Sequence, residues 1–385
     1  MGRFVVGADG GTLWGCERAH LPAPEHTDHY ESVSFPPAAT MRSTCALLLA
    51  LIGLPVLAAP PLPALGVDGA HVTVSGISSG GYMAVQFHVA HSARVDGAGV
   101  LAAGPYECAE GDTARALANC MAPDADDPVP DTAHSVARVT EDAAAGRIDA
   151  PAGLTGDRVW LLSGSADKTV ERPVVDALAA FYRQWIAPGE LTYVTLPGAG
   201  HAMITPDAAD ANACATSEPP FINRCGDTDA PGALLAHLLG PLQPKAPAAR
   251  GQLLAFDQAP FNDQAGALGL GQTGYLYVPT DCQAGGCRLH VAFHGCRQSV
   301  DQLGTLYVEE AGYNRWAESN RLVVLYPQTV PRYGWAWSGW WFHWIFNPKG
   351  CWDWWGYEEA EYATRDGVQI RAVNAMIDRL AQPHP

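Results

Sequence analysis

Short runs of apolar and β-branched residues recur along the chain and alternate with longer stretches of helical periodicity. The short runs are typical of buried strands, and the longer stretches are typical of helices. Strands are predicted at His71–Ser75, Gly97–Ala103, Val159–Ser163, Leu191–Leu196, Gly274–Val278, Arg288–Phe293 and Leu322–Tyr326. Helices are predicted at Tyr82–His91, Val170–Trp185, Ala230–Leu239, Leu306–Glu318 and Val368–Leu380. Because the two alternate, the pattern indicates an α/β fold with a mostly parallel sheet.

The chain begins with a segment that does not follow this pattern. Residues 46–57 are apolar, a positive charge precedes them, and the small residues Ala58 and Ala59 follow. These are the parts of a secretory signal peptide, and the run is shorter than the roughly 20 residues that cross a bilayer. We expect residues 41–59 to be a signal peptide that is cleaved near Ala58 or Ala59 for secretion to the periplasm or the medium. Since such a signal starts at the initiator methionine, residues 1–40 are interpreted as a misannotated or non-native extension.

The remaining residues, 60–385, are expected to form one domain, with a Pro/Ala/Gly-rich linker at residues 240–251. Hydrophobic residues make up 48% of the chain and charged residues 16%, which is a globular composition. The 23 basic and 40 acidic residues give a net charge of -17. That charge argues against nucleic acid as a partner, because phosphate binding needs a basic surface. We further expect a monomer with no membrane anchor.

The sequence Gly76-Ile77-Ser78-Ser79-Gly80 matches the G-x-S-x-G pattern of a nucleophile elbow. A predicted strand precedes it and a predicted helix follows, as the elbow requires. Its glycines permit a sharp turn that exposes the serine hydroxyl. Ser78 is therefore the predicted nucleophile, although a Gly/Ser turn without function is the alternative for a match this short.

An acid and a base follow in the chain order that α/β hydrolases use, which is Ser, then Asp or Glu, then His. Asp167 comes after the strand predicted at Val159–Ser163, and His201 comes after the one at Leu191–Leu196. Loops at the carboxyl ends of strands are where such folds place their chemistry. We expect His201 to accept the Ser78 proton and Asp167 to orient the imidazole.

The oxyanion of an acyl transfer needs two backbone N–H donors. One is expected to be the amide of Ser79, and the other the amide of Cys296 in an HG motif that follows the strand predicted at Arg288–Phe293. In the usual chain order the HG loop precedes the nucleophile, whereas here it follows the base. The sequence therefore predicts a circularly permuted α/β-hydrolase fold, in which residues 240–251 join the ends of the usual chain.

Taken together, these segments resemble the secreted short-chain polyhydroxyalkanoate depolymerases. The resemblance is to the type in which the lipase box precedes the oxyanion segment, which includes the single-domain fungal poly(3-hydroxybutyrate) depolymerase. The resemblance covers nearly all of residues 60–385. It rests on VSGISSGGYMA (74–84), GPYECA (104–109), SGSADKTV (163–170), GAGHAM (198–203), LHVAFHGCRQS (289–299), GYNRWAE (312–318), VVLYPQ (323–328) and NPKGCWDWWG (347–356).

The resemblance implies hydrolysis of 3-hydroxyalkanoate esters to oligomers or monomers, with Ser78, Asp167 and His201 as the triad and the Ser79 and Cys296 amides as the oxyanion hole. It implies no metal and no organic cofactor. Many relatives carry a separate polymer-binding domain, which we do not find in this sequence. Efficient attack on crystalline polymer is therefore not expected.

The eight cysteines after the signal segment are even in number, as in a chain from an oxidising compartment. Sequence alone permits 105 pairings. Proximity and the family resemblance favour the pairs Cys108/Cys120, Cys214/Cys225, Cys282/Cys287 and Cys296/Cys351. The last pair would hold the oxyanion loop against the CWDWW segment. The fold is thus expected to be stapled by disulfides.

Eight of the twelve tryptophans lie between Trp335 and Trp355, in a stretch expected to be irregular. We expect several of them to line an apolar cleft beside Ser78, because rigid rings supply contact area at low entropic cost. The resemblance implies substrate contact by Trp354. The further candidates are Trp352, Trp355 and Trp337.

Two other functions remain open on the sequence. A secreted feruloyl or acetyl esterase of polysaccharides would share the fold and the triad, since sugar rings also stack on tryptophan. A non-catalytic protein that binds a polymer or carbohydrate through tryptophans would not need the Ser/Asp/His set.

Overall fold

The computed structural model describes residues 59–262, 269–338 and 341–384, without the side chains of residues 336–338, 341 and 343. The predicted extension and nearly all of the predicted signal peptide lie outside the described residues. The strands are β1 (Val72–Ile77), β2 (Val95–Leu101), β3 (Arg158–Gly164), β4 (Leu191–Leu196), β5 (Met203–Ile204), β6 (Asn212–Ala213), β7 (Ile222–Arg224), β8 (Gln252–Asp257), β9 (Thr273–Val278), β10 (Arg288–Phe293), β11 (Leu322–Tyr326), β12 (Arg332–Ser338) and β13 (Trp341–Asn347). The α-helices are α1 (Ser79–Ala90), α2 (Thr113–Leu117), α3 (Thr132–Ala144), α4 (Arg172–Tyr182), α5 (Ala230–Leu239), α6 (Val300–Leu303), α7 (Leu306–Glu310), α8 (Asn314–Ser319) and α9 (Val368–Ala381).

Eight strands form the central sheet in the order β4-β3-β2-β1-β10-β11-β9-β8. The six from β4 to β11 run parallel, and β9 pairs antiparallel with both β11 and β8. All residues of β1 and β11 are buried, and the unbroken apolar sequence of β11 follows from this, because a strand covered on both faces needs no polar side. In β1 the hydroxyls of Thr73 and Ser75 are hydrogen-bonded to His290. The mostly parallel α/β sheet expected from the sequence is confirmed.

The nucleophile strand β1 lies near the middle of this sheet. It pairs with β2 on one side, where Gly76 lies opposite Val100, and with β10 on the other, where Gly76 lies opposite Phe293. Parallel neighbours end at the same edge of a sheet. The segments after β1 and β10 therefore meet, although 217 residues separate Thr73 from His290 along the chain.

The helix predicted at Leu306–Glu318 is two helices, α7 and α8. Gly312 lies between them with φ +98, a conformation that side-chain-bearing residues rarely adopt, and it packs closely on Thr205. The break allows the chain to turn while staying in contact with the core. One long helix was the wrong expectation for this segment.

The first part of the tryptophan-rich stretch is regular, whereas the part that carries Trp352, Trp354 and Trp355 is irregular as expected. Strands β12 and β13 pair antiparallel as a two-stranded hairpin, with Tyr333 opposite Phe346 and Trp335 opposite Trp344. Aromatic residues occupy alternate positions on each strand, which places them on one face of the hairpin.

All four disulfides expected from the sequence are present: Cys108–Cys120, Cys214–Cys225, Cys282–Cys287 and Cys296–Cys351. Within the described residues, no helix is both long enough and apolar enough to cross a membrane. No group of three or more His, Cys, Asp or Glu side chains in this part of the chain is arranged to hold a metal ion.

Candidate active site

Ser78 occupies a strained turn between β1 and α1. Its φ of 57 and ψ of -126 lie in a region that residues with a side chain rarely adopt, and such strain is characteristic of functional sites. The glycines on either side are required by close packing. A Cβ atom at Gly76 would collide with the carbonyl of Gly80, and one at Gly80 would collide with the carbonyls of Phe293 and His294. The turn is therefore pressed directly against the end of β10.

Asp167 and His201 form a buried hydrogen-bonded pair. The Nδ1 atom of His201 lies 2.7 Å from Oδ2 of Asp167, and the two side chains are 6% and 1% exposed. The other carboxylate oxygen, Oδ1, accepts the amides of Thr169 and Val170 at 2.8 and 2.9 Å. The aspartate is thus held rigidly while one oxygen remains for the imidazole.

Close backbone packing and a hydroxyl fix the loop that carries His201. The His201 amide donates to Oγ of Ser217 at 2.9 Å. A side chain at Gly200 would come within 2.5 Å of the carbonyls of Ala215 and Thr216. The predicted base is therefore positioned by the segment that the Cys214–Cys225 disulfide closes.

Ser78 and His201 line the same cavity, of about 160 Å³, together with Cys296 and Gln298. The predicted nucleophile, base and oxyanion loop are thus brought together from three separate parts of the chain. Asp167 lies behind His201, as an orienting acid requires.

The two predicted oxyanion donors lie on either side of Ser78. Ser79 is the first residue of α1, where helix amides have no intrahelical partner. In the other loop, the amide of Gly295 donates to Oε1 of Gln298 at 2.8 Å and that of Arg297 donates to the Lys349 carbonyl at 2.7 Å. The Cys296 amide between them makes no hydrogen bond within the described part of the chain. Cys296 lines both cavities that contain Ser78, and Ser79 follows Ser78 directly in the chain.

The oxyanion loop is anchored at several points. Cys296 is bonded to Cys351, and the amide group of Gln298 donates to the carbonyls of Pro220 and Phe221 at 3.0 and 3.1 Å. The sequence reasoning identified the disulfide but assigned no role to Gln298. Two other segments of the chain thus hold this loop in place.

His294 is a second residue to which the sequence reasoning gave no role. It has no exposed surface, and burial lowers its pKa to about 4. Its ring bonds to the Gly295 carbonyl on one side and to Thr329 on the other. The signal in the sequence that could have identified it is its place immediately before Gly295, at the end of a predicted strand.

An apolar cavity of about 110 Å³ adjoins the first and shares Ser78 and Cys296 with it. Trp354 and Trp355 line this cavity. Trp354 stacks on Tyr82 with ring centroids 4.0 Å apart and planes at 10°. The described lining contains one charged side chain, Lys349, so the cavity suits an uncharged chain.

One of the tryptophan candidates, Trp352, does not line this cavity. Trp352 has no exposed surface and packs edge-on against Phe293, so the expectation that it contacts substrate is wrong. The CWDWW segment passes through the core at this point, and only its later tryptophans reach the cavity. The side chain of Trp337 lies outside the described residues.

Comparison with known proteins gives a consistent set of relatives. No protein-family model matches the chain. It is 42% identical over 340 residues to the poly(3-hydroxybutyrate) depolymerase of Delftia acidovorans, a match that covers 86% of this chain and 64% of that protein. It is 35% identical over 339 residues to the polyhydroxybutyrate depolymerase of Talaromyces funiculosus, covering 86% of this chain and 96% of that one.

Solved structures give the same result. The crystal structure of the PHB depolymerase from Penicillium funiculosum matches with a TM-score of 0.76 at 34% identity, over 84% of this chain and all of that one. A PHB depolymerase variant complexed with an R3HB trimer matches over the same shares with a TM-score of 0.75 and 34% identity. The chain thus spans 64% of the length of the first relative and nearly the whole of the others. By sequence and by fold, it belongs to the poly(3-hydroxybutyrate) depolymerase family.

Proposed function

We propose that this protein is a serine esterase that hydrolyses the ester bonds of poly(3-hydroxybutyrate) and related short-chain polyhydroxyalkanoates, releasing 3-hydroxyacid oligomers or monomers. One observation carries the proposal. Ser78 lies at a strained elbow where the cavity containing His201 and the apolar cavity containing Trp354 meet. An ester carbonyl at Ser78 therefore has the base on one side and an apolar wall on the other.

The chemistry follows from the positions of the polar groups. His201 takes the proton from Ser78 as the hydroxyl attacks the ester carbon, and Asp167 stabilises the imidazolium that forms. The amides of Ser79 and Cys296 donate to the oxyanion of the tetrahedral intermediate. His201 then protonates the leaving alkoxide. In the second half of the reaction His201 takes a proton from water as the water attacks the acyl-enzyme, and returns it to Ser78 as the acid is released.

The lining of the apolar cavity supports a polyester as the substrate. A poly(3-hydroxybutyrate) chain carries methyl groups and ester carbonyls but no charge along its length. Leu117, Val170 and Trp355 offer apolar surface to the methyl groups. Burial of such surface contributes about 25 cal/mol per Å².

The aromatic face of the β12–β13 hairpin supports contact with a polymer too large to enter the cavity. Its described members are all largely exposed, which is unusual for rings of this size: Tyr333, Trp335, Phe342, Trp344 and Phe346. Phe346 also lines the cavity beside Ser78. The face is therefore continuous with the active site, and we assign it to the surface of the solid polyester.

The order of strands supports the circular permutation. If only the strands of the central sheet are counted, starting from β8, β10 becomes the third by chain order and β1 becomes the fifth. α/β hydrolases take their second oxyanion donor from the loop after the third strand. The amides of Leu65 and Gly66 donate to the carbonyls of Leu380 and Gln382 at 3.1 and 2.8 Å, so the segment before β1 lies against the end of α9.

We further propose that the protein is secreted by cleavage near Ala58 or Ala59, is translated from Met41, and acts as a monomer without a membrane anchor. Four disulfides support an oxidising compartment. N-terminal sequencing of secreted protein tests the first two points. A mature chain that starts upstream of Met41 would contradict them.

The experiment for the activity compares wild type with Ser78→Ala on amorphous poly(3-hydroxybutyrate). Wild type is expected to release 3-hydroxybutyrate or its oligomers, detected by liquid chromatography, and Ser78→Ala is expected to release only a residual amount. An aryl or acetyl polysaccharide ester serves as the second substrate. Turnover of that ester without turnover of the polyester would overturn the proposed substrate, and equal release by both proteins would overturn the proposed nucleophile.

A further inference from the structure

The imidazole of His294 lies directly behind the oxyanion loop, with both ring nitrogens engaged. Nδ1 lies 2.8 Å from the carbonyl oxygen of Gly295. The amide of Thr329 donates to Nε2 at 3.2 Å, and the hydroxyl of Thr329 donates to the Gly350 carbonyl at 2.6 Å. The ring has no exposed surface, so water does not compete for these bonds.

These partners assign the tautomer. A backbone amide can only donate, so Nε2 must accept from Thr329 and carries no proton. The proton is therefore on Nδ1, where it can be donated to the Gly295 carbonyl. Burial lowers the pKa of His294 to about 4, which agrees with a neutral ring at the pH where an esterase with a histidine base is active.

The geometry of the peptide bond links this carbonyl to the reaction. The Gly295 carbonyl and the Cys296 amide belong to one planar trans unit, in which C=O and N–H point in opposite directions. When His294 holds the carbonyl on its side, the Cys296 amide must point to the other side. Ser78 is next to this peptide, since a side chain at Gly295 would come within 3.3 Å of the Ser78 Cβ atom and Ser78 and Cys296 line the same two cavities.

We infer that His294 is a positioning residue for the oxyanion hole, aiming the Cys296 amide at the tetrahedral intermediate through its bond to the Gly295 carbonyl. This inference rests on the proposed esterase function. The bonds from Thr329 through His294 and the 295–296 peptide all run in one direction, so each polarises the next. The negative charge of the oxyanion strengthens these hydrogen bonds more than the neutral carbonyl of the ground-state ester does.

A second donor acts on the same carbonyl. The backbone amide of Gln298 donates to the Gly295 carbonyl oxygen at 3.2 Å. The Cys296–Cys351 disulfide also holds the loop. Loss of the His294 bond should therefore tilt the peptide and leave the loop folded. The effect is expected in the chemical step, with little change in substrate binding.

Two substitutions separate the two nitrogens of the ring. In His294→Asn the side-chain amide can donate from a position close to Nδ1. In His294→Gln the longer side chain places its amide near Nε2, where it can accept from Thr329 but does not reach the Gly295 carbonyl. Both variants are polar and smaller than histidine, so they cost similar packing.

The matched control is His290→Asn. His290 lies on β10, the strand that His294 directly follows. It also has no exposed surface and has both nitrogens bonded, to the hydroxyls of Thr73 and Ser75 at 2.8 and 2.7 Å. It holds no peptide of the oxyanion loop. It therefore reports what the loss of a buried, bonded histidine on β10 costs in general.

The measurements are kcat and KM on a soluble short-chain ester and the affinity for an alkyl boronic acid, which forms a tetrahedral adduct with an active-site serine. For His294→Gln, kcat is expected to fall about 10- to 100-fold, less than the 10²- to 10³-fold typical when an oxyanion donor is removed. KM should stay within twofold and boronic acid affinity should fall in parallel with kcat. His294→Asn should recover most of the loss, and His290→Asn should keep kcat within twofold.

Three results would overturn the inference: a kcat for His294→Gln within twofold of wild type, an equal loss in His294→Asn and His294→Gln, or an equal loss in His290→Asn. If His294→Gln does not fold, failure of His294→Asn to retain boronic acid affinity would overturn it as well. Failure of the proposed function is distinguishable, because wild type itself would then neither hydrolyse the ester nor bind the boronic acid.

Discussion

Asp167 uses its two carboxylate oxygens for two separate purposes. Oδ1 accepts the amides of Thr169 and Val170, which shapes the loop after β3. Oδ2 faces Nδ1 of His201 at 2.7 Å. An asparagine can preserve the first set of bonds through its carbonyl oxygen but must present a donor to the imidazole.

Asp167→Asn is therefore expected to keep the fold and lose the chemistry. The side-chain amide would favour the wrong tautomer of His201, and a loss of about 10⁴-fold in kcat is typical of this change in a serine triad. Kinetics on a soluble ester and thermal unfolding are the measurements. A small loss of activity, or a loss explained by unfolding, would contradict this role.

His290 shows how burial connects a single residue to the stability of the protein. Burial lowers its pKa to about 3, whereas a histidine in an unfolded chain titrates near 6.5. Between these values the unfolded state binds one more proton than the native state. The free energy of unfolding therefore decreases as the pH falls below 6.5, by about 1.4 kcal/mol per pH unit from this group.

Replacing His290 with Asn removes that titration. The difference in free energy of unfolding between wild type and His290→Asn is expected to shrink by about 3 kcal/mol from pH 7 to pH 4. Urea titrations of both proteins at each pH measure the difference. A difference that stays constant over this range would show that the native ring is protonated normally.

Chemical motifs made the order of Ser78, Asp167 and His201 readable from the sequence, because each follows a strand that an apolar run predicts. The function of His294 was not readable, because it depends on the orientation of one peptide group. The role of Trp352 was misjudged for a related reason. Whether a tryptophan in CWDWW faces the cavity or Phe293 is decided by packing against β10, which spacing does not reveal.

At the level of elements, the β12–β13 hairpin is the feature that the sequence interpretation missed. Tyr333 and Trp335 alternate with small residues on β12, and Phe342, Trp344 and Phe346 occupy every second position on β13. That period of two predicts strands. Because tryptophan is so dense there, the stretch was instead interpreted as an irregular segment that lines a cleft.

Substitution of the hairpin rings tests their contact with solid polymer. Trp335→Ser and Trp344→Ser are combined because both rings are exposed, at 70% and 46%, and lie outside the cavity lining. Adsorption to poly(3-hydroxybutyrate) particles, measured in a Ser78→Ala background, is expected to fall at least tenfold. Hydrolysis of a soluble ester by the same pair of substitutions in active enzyme should stay within twofold of wild type.

Val129→Ser is the control, since Val129 is another exposed apolar residue, at 45%, and lies outside the hairpin. It should leave adsorption unchanged. Undiminished adsorption of the double variant would remove the hairpin from polymer binding. A change in oligomeric state by light scattering would instead assign the aromatic face to self-association and contradict its assignment to the polymer.

Across the whole molecule, two of the four disulfides lie at opposite ends of β10. Cys282–Cys287 precedes the strand and closes 5 residues, whereas Cys296–Cys351 follows it and closes 55. In the chain-entropy model these stabilise the fold by about 2 and about 4 kcal/mol. Only the second joins the oxyanion loop to the segment that carries Trp354.

Alanine substitution of each pair keeps every backbone amide, including that of Cys296. Cys296→Ala/Cys351→Ala is expected to lower both the free energy of unfolding and kcat on a soluble ester. Cys282→Ala/Cys287→Ala should lower stability by about half as much and leave kcat unchanged. Equal kcat in the two variants would mean that the disulfide contributes stability alone.

The fold at this scale followed from the sequence to a large extent. Leu191–Leu196, Arg288–Phe293, Leu322–Tyr326 and Ala230–Leu239 have the bounds that the apolar pattern predicts. Helix α3 was not predicted, because its only apolar residues other than alanine are Val136 and Val139. Strand β8 was not predicted either, and only Phe256 of its residues is fully buried. Pairing between strands that are distant in sequence, such as β1 and β10, was predictable only because the predicted nucleophile and oxyanion donor that follow them must lie together.

The central claim is that Ser78 carries the acyl group of a 3-hydroxybutyrate ester during turnover. Rapid acid quench of the enzyme with a soluble 3-hydroxybutyrate oligomer, followed by peptide mass spectrometry, measures this directly. A 3-hydroxybutyryl adduct, or an oligomer of it, is expected on the peptide that contains Ser78, and none on Ser78→Ala. An adduct on another residue, or continued hydrolysis by Ser78→Ala at the wild-type rate, would contradict the account.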